Sequence, residues 1–238
     1  EQFPVMMKNV IQACKNHNCK LVFFDNTYMY SKKTVTQTEE TPYQPTGLKS
    51  TIRANISKML LEEINNNSLQ AVICRAPEFY GTGKTQGISQ SMIFGMIQKG
   101  KPLNVPVNEN KLRTFIFTPD ASRAMALIGN TPNAYQQTWH LPCDDNRLTY
   151  KEFINLASNI YKKDFQYSVI KLWQFRWASL FNKRVRELLE ILPRYNYDNI
   201  FISDKFKKHF SDFEITTYPE GINKIMNEQM NTSNNSMV

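Results

Sequence analysis

Three polar segments follow directly on apolar runs and carry residue types that hold charge, donate hydrogen bonds or move protons. They are Asp25-Asn26-Thr27, Ala76-Pro77-Glu78 and Thr118-Pro119-Asp120. In a parallel α/β sheet, ligands bind outside the carboxyl ends of the strands. Each segment taken alone reads equally as an ordinary cap or turn. Their convergence at one sheet edge is what a site requires. Arg113, just before a strand, and Arg184, Arg186 and Arg194 further on carry planar cations that can fork two hydrogen bonds, and Arg113 reads equally as a surface residue. Trp139-His140-Leu141-Pro142 marks another strand end, where His140 reads as a hydrogen-bonded structural residue. The histidines, His17, His140 and His209, lie far apart in no ligand pattern, so a metal site is not expected. Cys14 and Cys19 are not a CxxC pair, and Cys74 sits in an apolar run as a small core residue. This usage indicates a reducing, cytoplasmic setting.

Alternating elements must position these groups. Met6, Met7, Val10, Ile11 and Cys14 fall at helical spacing and predict a helix over 4–17. Apolar strands are expected at 20–25, 69–75, 113–117 and 138–141. Between them, Ile52, Ile56, Met59, Leu60 and Ile64 mark a second helix, and a third is expected over 88–99, closed by Gly100. Residues 31–47 read as a loop. Asp120 is expected to cap a helix running to Ile128, and Thr149 with Glu152 forms a capping-box signature. Residues 171–193 read as aromatic and helical, 219–230 as a last helix, and 231–238 as a flexible tail. Strands separated by helices of this length imply βαβ units and a parallel sheet buried on both faces.

Composition bounds the function. The 238 residues are 41% hydrophobic and 21% charged, which suits a folded chain with a sizeable core rather than a disordered one. No apolar run approaches the roughly 18 residues of a membrane helix, so no membrane partner is expected. No leader-like segment opens the sequence. The net charge of +8 is spread over the chain, with no basic run longer than two residues. Nucleic-acid binding calls for a patch or stripe; a generally basic surface favours a small anionic ligand instead.

Four stretches, in order, resemble the extended short-chain dehydrogenase/reductases, the NAD-dependent epimerase/dehydratases. Leu21–Tyr30 resembles the strand that ends in serines and V-Y-G. Thr38-Glu39-Glu40-Thr41-Pro42 resembles the T-E-x-x-P loop. Ala71–Gly81 resembles L-R-x-x-N-x-Y-G, and Arg113–Asp120 resembles R-D-F-I-x-V-x-D. The resemblance implies an α/β fold with a Rossmann-like parallel sheet and a smaller C-terminal α/β substrate-binding region. It assigns 1–79 and 113–143 to the first and 80–112 and 144–230 to the second.

Two departures accompany the match. None of the eight glycines forms the Gly-rich turn that cradles a cofactor pyrophosphate at a helix N-terminus. The chain starts at Glu1 and reads as a fragment whose first three strands lie upstream. The family's Tyr-x-x-x-Lys is also absent. Alignment on the helix puts Lys49 at the tyrosine position and Arg53 at the lysine position. The catalytic serine corresponds to Asn26, with Thr27 beside it. Asn can hold a carbonyl but cannot relay a proton as a hydroxyl does; Tyr28, Tyr30 and Tyr43 are nearby phenols.

By resemblance, the catalytic set is therefore Lys49, Arg53, Asn26 and Thr27. NAD or NADP would contact Asn26, Arg53, Ala76 and Pro77, and a nucleotide-sugar or related anionic substrate would contact Glu78, Arg113 and Arg194. The implied activity is NAD(P)-dependent epimerisation or dehydration, and a homodimer is compatible with it. A catalytically inactive NAD(P)-binding or sensor protein of the same fold is the alternative.

Overall fold

The computed structural model describes residues 2–33 and 35–235. Its centre is a three-stranded parallel sheet of β1 (Leu21–Asp25), β3 (Ala71–Arg75) and β8 (Gln137–His140), in the order β1-β3-β8. A short strand β2 (Val35–Gln37) and helix α2 (Leu48–Asn65) lie between the first two. Every residue of β3 is buried, as expected of a central parallel strand. β1 is an edge among the described strands, and Phe24 on it is exposed. The register places Asp25 opposite Arg75 and Arg75 opposite His140, so three ionisable side chains line up at one sheet edge.

Helix α1 (Gln2–Asn16) and α2 cover one face, burying Met7, Ile11, Ile56, Leu60 and Ile64 against Ala71 and Ile73. Ser50, Ala54 and Ser57 are also buried on α2; with small side chains there, the helix sits close to the strands. Helix α4 (Thr118–Gly129) packs on the other face through Ala121, Ala124 and Ile128, beside Trp139, Phe201 and Phe206.

Further parallel pairs lie beside this sheet. β4 (Glu78–Tyr80) pairs with β7 (Phe115–Phe117), and β5 (Leu103–Pro106) with β10 (Tyr167–Ile170). β2 pairs with β11 (Asn199–Phe201), while β6 (Leu112–Arg113) runs antiparallel to β9 (Leu148–Thr149). A second, aromatic core joins Tyr80, Phe94, Phe115, Tyr150, Phe153 and Tyr218. Phe115 and Phe153 approach to 4.7 Å between ring centroids.

Several expectations need adjustment. The strand expected over 113–117 breaks at Thr114. That hydroxyl donates to Asn199 O at 2.9 Å and accepts from Phe201 N–H at 3.1 Å, tying the break to β11. Asp120 is not a cap: α4 begins at Thr118, with a proline in its first turn. The buried Asp120 carboxylate instead accepts from Thr216 N–H at 2.6 Å and Thr216 Oγ1 at 3.0 Å. The helix expected over 88–99 carries a π-helical turn, Gln90–Phe94, and ends as α3 (Gly95–Gln98). Helix α9 (Tyr218–Asn235) continues through residues expected in the tail, and 236–238 lie outside the described residues. The capping box on α5 (Tyr150–Tyr161) is present, with Glu152 N–H donating to Thr149 Oγ1 at 3.2 Å and Thr149 N–H to Glu152 at 2.8 Å.

Candidate functional site

A cavity of about 120 Å³ opens at the carboxyl ends of β1 and β3. Asn26, Thr27, Pro77, Glu78, Arg113 and Arg194 all line it. The polar segments read from the sequence after the first two strands thus meet at one edge, joined by two arginines from later in the chain.

Glu78 organises the interior. Its Oε1 accepts from Tyr150 Oη at 2.9 Å, Tyr195 Oη at 3.1 Å and Ser89 N–H at 3.2 Å, with Ser89 Oγ also donating to it. Its Oε2 accepts from Arg113 Nη2 at 3.3 Å. Burial, reinforced by the Glu78 charge, holds the phenols of Tyr150 and Tyr195 well above their ordinary range, so both remain donors.

Arg113 ends β6, and the β4–β7 register brings it to the Glu78 end by setting Glu78 opposite Phe115. Its guanidinium stacks 4.4 Å from the Tyr195 ring centroid. Burial opposes its charge most strongly, but the Glu78 charge and hydrogen bond together with the Tyr195 and Tyr150 phenols outweigh it, and the pKa is raised. Arg113 Nε is buried and has no hydrogen-bond partner among the described residues.

Arg194 comes from a 3₁₀ turn, Leu192–Asn196, anchored by buried Leu192 and Tyr195. Its Nη2 donates to Thr27 O at 3.2 Å, and its guanidinium lies 5.1 Å from the Tyr28 ring centroid. Burial, and then the charge of Arg113, lower its pKa. Two arginines therefore repel one another across a site that holds one carboxylate. That arrangement favours an anionic ligand.

Asn26 shapes the turn after β1. Its Oδ1 accepts from Tyr28 N–H at 2.9 Å, and its own N–H donates to Asp25 Oδ1 at 2.9 Å. The other sequence candidates lie elsewhere. Ala76 is fully buried, donates its N–H to Asp25 O at 3.1 Å and is not among the lining residues. Lys49 is half-buried and also outside the lining; its backbone N–H donates to Glu190 Oε2 at 3.0 Å. Arg53 turns to Asp25, 3.8 Å away, and to the ring of Phe3. Lys49 and Arg53 thus keep their one-turn spacing on α2 without entering the cavity.

Behind the cavity, Asp25, Arg75, Tyr30 and His140 form a buried network. Arg75 lies 3.6 Å from Asp25 and donates to Tyr30 Oη at 2.9 Å and to Tyr43 Oη. Ser57 Oγ donates to Asp25 Oδ2 at 2.6 Å. His140 Nδ1 lies 2.8 Å from Ile202 O, which can only accept. Nε2 is then left to accept from Tyr30 Oη at 2.8 Å. Burial pushes the His140 pKa down to about 3. The structural reading of this histidine matches its surroundings.

The sequence reading missed Tyr195 and Ser89. Tyr195 adjoins Arg194, which was its only signal. Ser89 and Tyr150 reach Glu78 from sequence separations of 11 and 72 residues, which no local pattern records.

A parallel sheet flanked by helices, with polar groups gathered at its carboxyl edge, defines a Rossmann-like α/β protein. The profile of the NAD dependent epimerase/dehydratase family matches residues 4–141, and the chain belongs to that family. No curated protein matches it in sequence. Solved structures share the fold. The dTDP-glucose 4,6-dehydratase of Bacillus anthracis, in complex with NAD, superposes with a TM-score of 0.72 at 17% identity, over 96% of this chain and 67% of that one. The UDP-glucuronic acid 4-epimerase of Bacillus cereus, in complex with UDP-glucuronic acid and NAD, gives 0.77 at 13%, over 97% and 68%. The UDP-glucose 4-epimerase of Thermus thermophilus, in complex with NAD, gives 0.72 at 17%, over 94% and 68%. The chain spans about two thirds of the length of these structures. Among the described residues, no group of His, Cys, Asp or Glu could hold a metal ion, and no helix is long and apolar enough to cross a membrane.

Proposed function

We propose that the protein is an NAD(P)-dependent epimerase/dehydratase-like protein that takes a nucleotide-sugar or related anionic substrate, with atypical catalytic residues. The observation that carries this reading is the convergence of Arg113 and Arg194 on one cavity, with Arg113 Nε left without a partner. A buried donor gains most when a ligand supplies its missing acceptor. A diphosphate bridging the two guanidinium groups would also relieve their repulsion. In this reading 1–79 and 113–143 form the nucleotide-binding part, and 80–112 and 144–230 the substrate-binding part.

The cavity is smaller than the 300–1,000 Å³ usual for small-molecule sites. Binding a nucleotide-sugar therefore requires the cavity to widen, in addition to Arg113 exchanging part of its contact with Glu78 for the ligand. Of the residues expected to contact NAD(P), Asn26 and Pro77 line the cavity and would meet its nicotinamide end, with Thr27 beside them, while Arg53 and Ala76 stand outside the lining. When bound, the nicotinamide supplies a hydride acceptor and donor. Asn26 and Thr27 would orient the reacting carbon, and Tyr28 and Tyr195 are phenols that border the same cavity. A second reading, a binding or sensor protein without turnover, is favoured by the position of Lys49, which stands at the tyrosine place yet does not line the cavity.

Calorimetry with UDP- and dTDP-sugars tests the main reading. Arg113→Ala should weaken binding by about 1.5–3 kcal/mol, the worth of hydrogen bonds to a charged group. Arg113→Lys should recover only part, since a point charge forms no fork. Affinity unchanged by either substitution removes Arg113 from the site. If sugar and NAD both bind but absorbance at the reduced-nicotinamide band never changes and no product forms, the second reading holds.

A further inference from the structure

Helix α6 (Leu172–Ala178) and α7 (Lys183–Leu188) are joined by a short turn that holds large apolar side chains in solvent. Trp173, Trp177, Leu180 and Phe181 are 64%, 65%, 65% and 83% exposed. Trp173 and Trp177 stand four apart and so share one helix face. The Trp177 and Phe181 rings are 6.4 Å apart, which continues that face into the turn.

The turn is firmly built. Phe175 anchors α6 in the aromatic core, and Val185 and Leu188 pack against the same core. Arg186 donates to Ser179 O at 3.1 Å and to Leu180 O at 3.4 Å. Asn182 caps α7 by accepting from Arg184 N–H at 2.9 Å and Val185 N–H at 3.3 Å. The backbone that presents the outward rings is therefore anchored, and an apolar patch of this kind marks an interaction surface.

Its charge selects the partner. α6, α7 and the turn between them, with Lys171 just before, carry Lys171, Arg176, Lys183, Arg184 and Arg186 against one acidic residue, Glu187; all six belong to exposed residues. A second copy of this chain docked face to face would bring the two basic sets together, which is unfavourable. Indole rings with exposed cations around them suit the boundary between headgroups and acyl chains of an anionic bilayer. We propose that the α6–α7 turn is a peripheral membrane-binding surface, on which Trp173, Trp177, Leu180 and Phe181 enter the interface while the surrounding lysines and arginines contact anionic headgroups. Lying on a bilayer needs no helix long enough to cross one.

Co-sedimentation of the purified protein with phosphatidylcholine vesicles, with and without phosphatidylserine, tests this. Binding should appear with phosphatidylserine, fall with added salt, and blue-shift the emission of Trp173 and Trp177; Trp139 is already buried. The double substitution Trp177→Ser with Phe181→Ser should weaken binding on the order of tenfold or more. Lys183→Glu with Arg184→Glu should abolish the preference for phosphatidylserine while leaving thermal stability unchanged, and it decides the matter if the aromatic variant folds poorly. Absence of sedimentation with phosphatidylserine overturns the proposal. So does binding indifferent to both double substitutions, or a dimer in solution that the aromatic substitutions convert to monomer.

Discussion

Glu78 accepts from Tyr150, Tyr195 and Ser89 on one oxygen and from Arg113 on the other, in an interior where every partner is buried or nearly so. It stands where the family motif quoted above has asparagine, and so brings a negative charge to the place where an anion would bind. The carboxylate therefore has two opposed effects: it stabilises Arg113 in the free protein, and it competes with the ligand for the same guanidinium. Glu78→Gln keeps the shape but leaves Arg113 without its counter-charge. Removing one partner of a buried pair costs about 3–5 kcal/mol. The variant should melt well below the wild type. It should also gain more thermal stability from a saturating nucleotide-sugar than the wild type does. Differential scanning measurements with and without ligand check both parts, and an unchanged melting temperature would show that the pair contributes nothing to stability.

At the scale of elements, the start of α2 depends on a residue far away in sequence. Glu190 accepts from Lys49 N–H and Ser50 N–H, each at 3.0 Å, and so satisfies donors that a helix N-terminus leaves free. Burial works against this carboxylate, yet the two N–H donors and Ser50 keep its pKa below the ordinary range. Lys32 Nζ reinforces the joint by donating to Glu190 O at 2.7 Å and to Thr46 O at 2.5 Å. Gly47 makes the approach possible: its φ is +103°, and a Cβ there would lie 2.6 Å from Glu190 Cδ. Glu190→Ala should lower stability by about 1 kcal/mol, the usual loss for a helix cap. Gly47→Ala should cost more, because it adds backbone strain of about 1–3 kcal/mol to the displaced cap. Urea unfolding midpoints order the two; equal midpoints for Glu190→Ala and the wild type would remove the cap from the energetics.

For the molecule as a whole, the row Asp25, Arg75 and His140 ties the sheet edge to the loop bearing Tyr30 and to the segment after β11. His140 is neutral in the folded state because burial lowers its pKa to about 3. In the unfolded chain it titrates near 6.5. The unfolded state then binds the extra proton, so this contribution is complete above about pH 6.5 and is lost as pH falls toward 3. The loss approaches about 1.4 kcal/mol per pH unit. Unfolding free energies at pH 7, 6 and 5 should therefore fall more steeply for the wild type than for His140→Gln. That variant should itself be less stable at pH 7, and parallel slopes would mean that His140 does not titrate differently in the two states.

The alternation of apolar strands and amphipathic helices was legible in the sequence, because a strand buried on both faces must be a continuous apolar run and a half-buried helix must repeat near 3.6 residues. Ala71–Cys74 and the face from Ile52 to Ile64 show both patterns. Asn26, Glu78, Arg113 and Arg194 could be singled out as well, the first two at strand ends and the arginines through the family resemblance. Their meeting in one cavity was decided only by tertiary structure, since Arg113 reaches Glu78 across a sequence separation of 35 and the turn carrying Arg194 reaches Thr27 across one of 167. The same holds for the cap from Glu190 and for the ring of donors around Glu78, whose partners have no fixed spacing in sequence. Local patterns record which face of an element is apolar. They carry no information on which distant side chain completes a buried polar group, because that choice is made by packing.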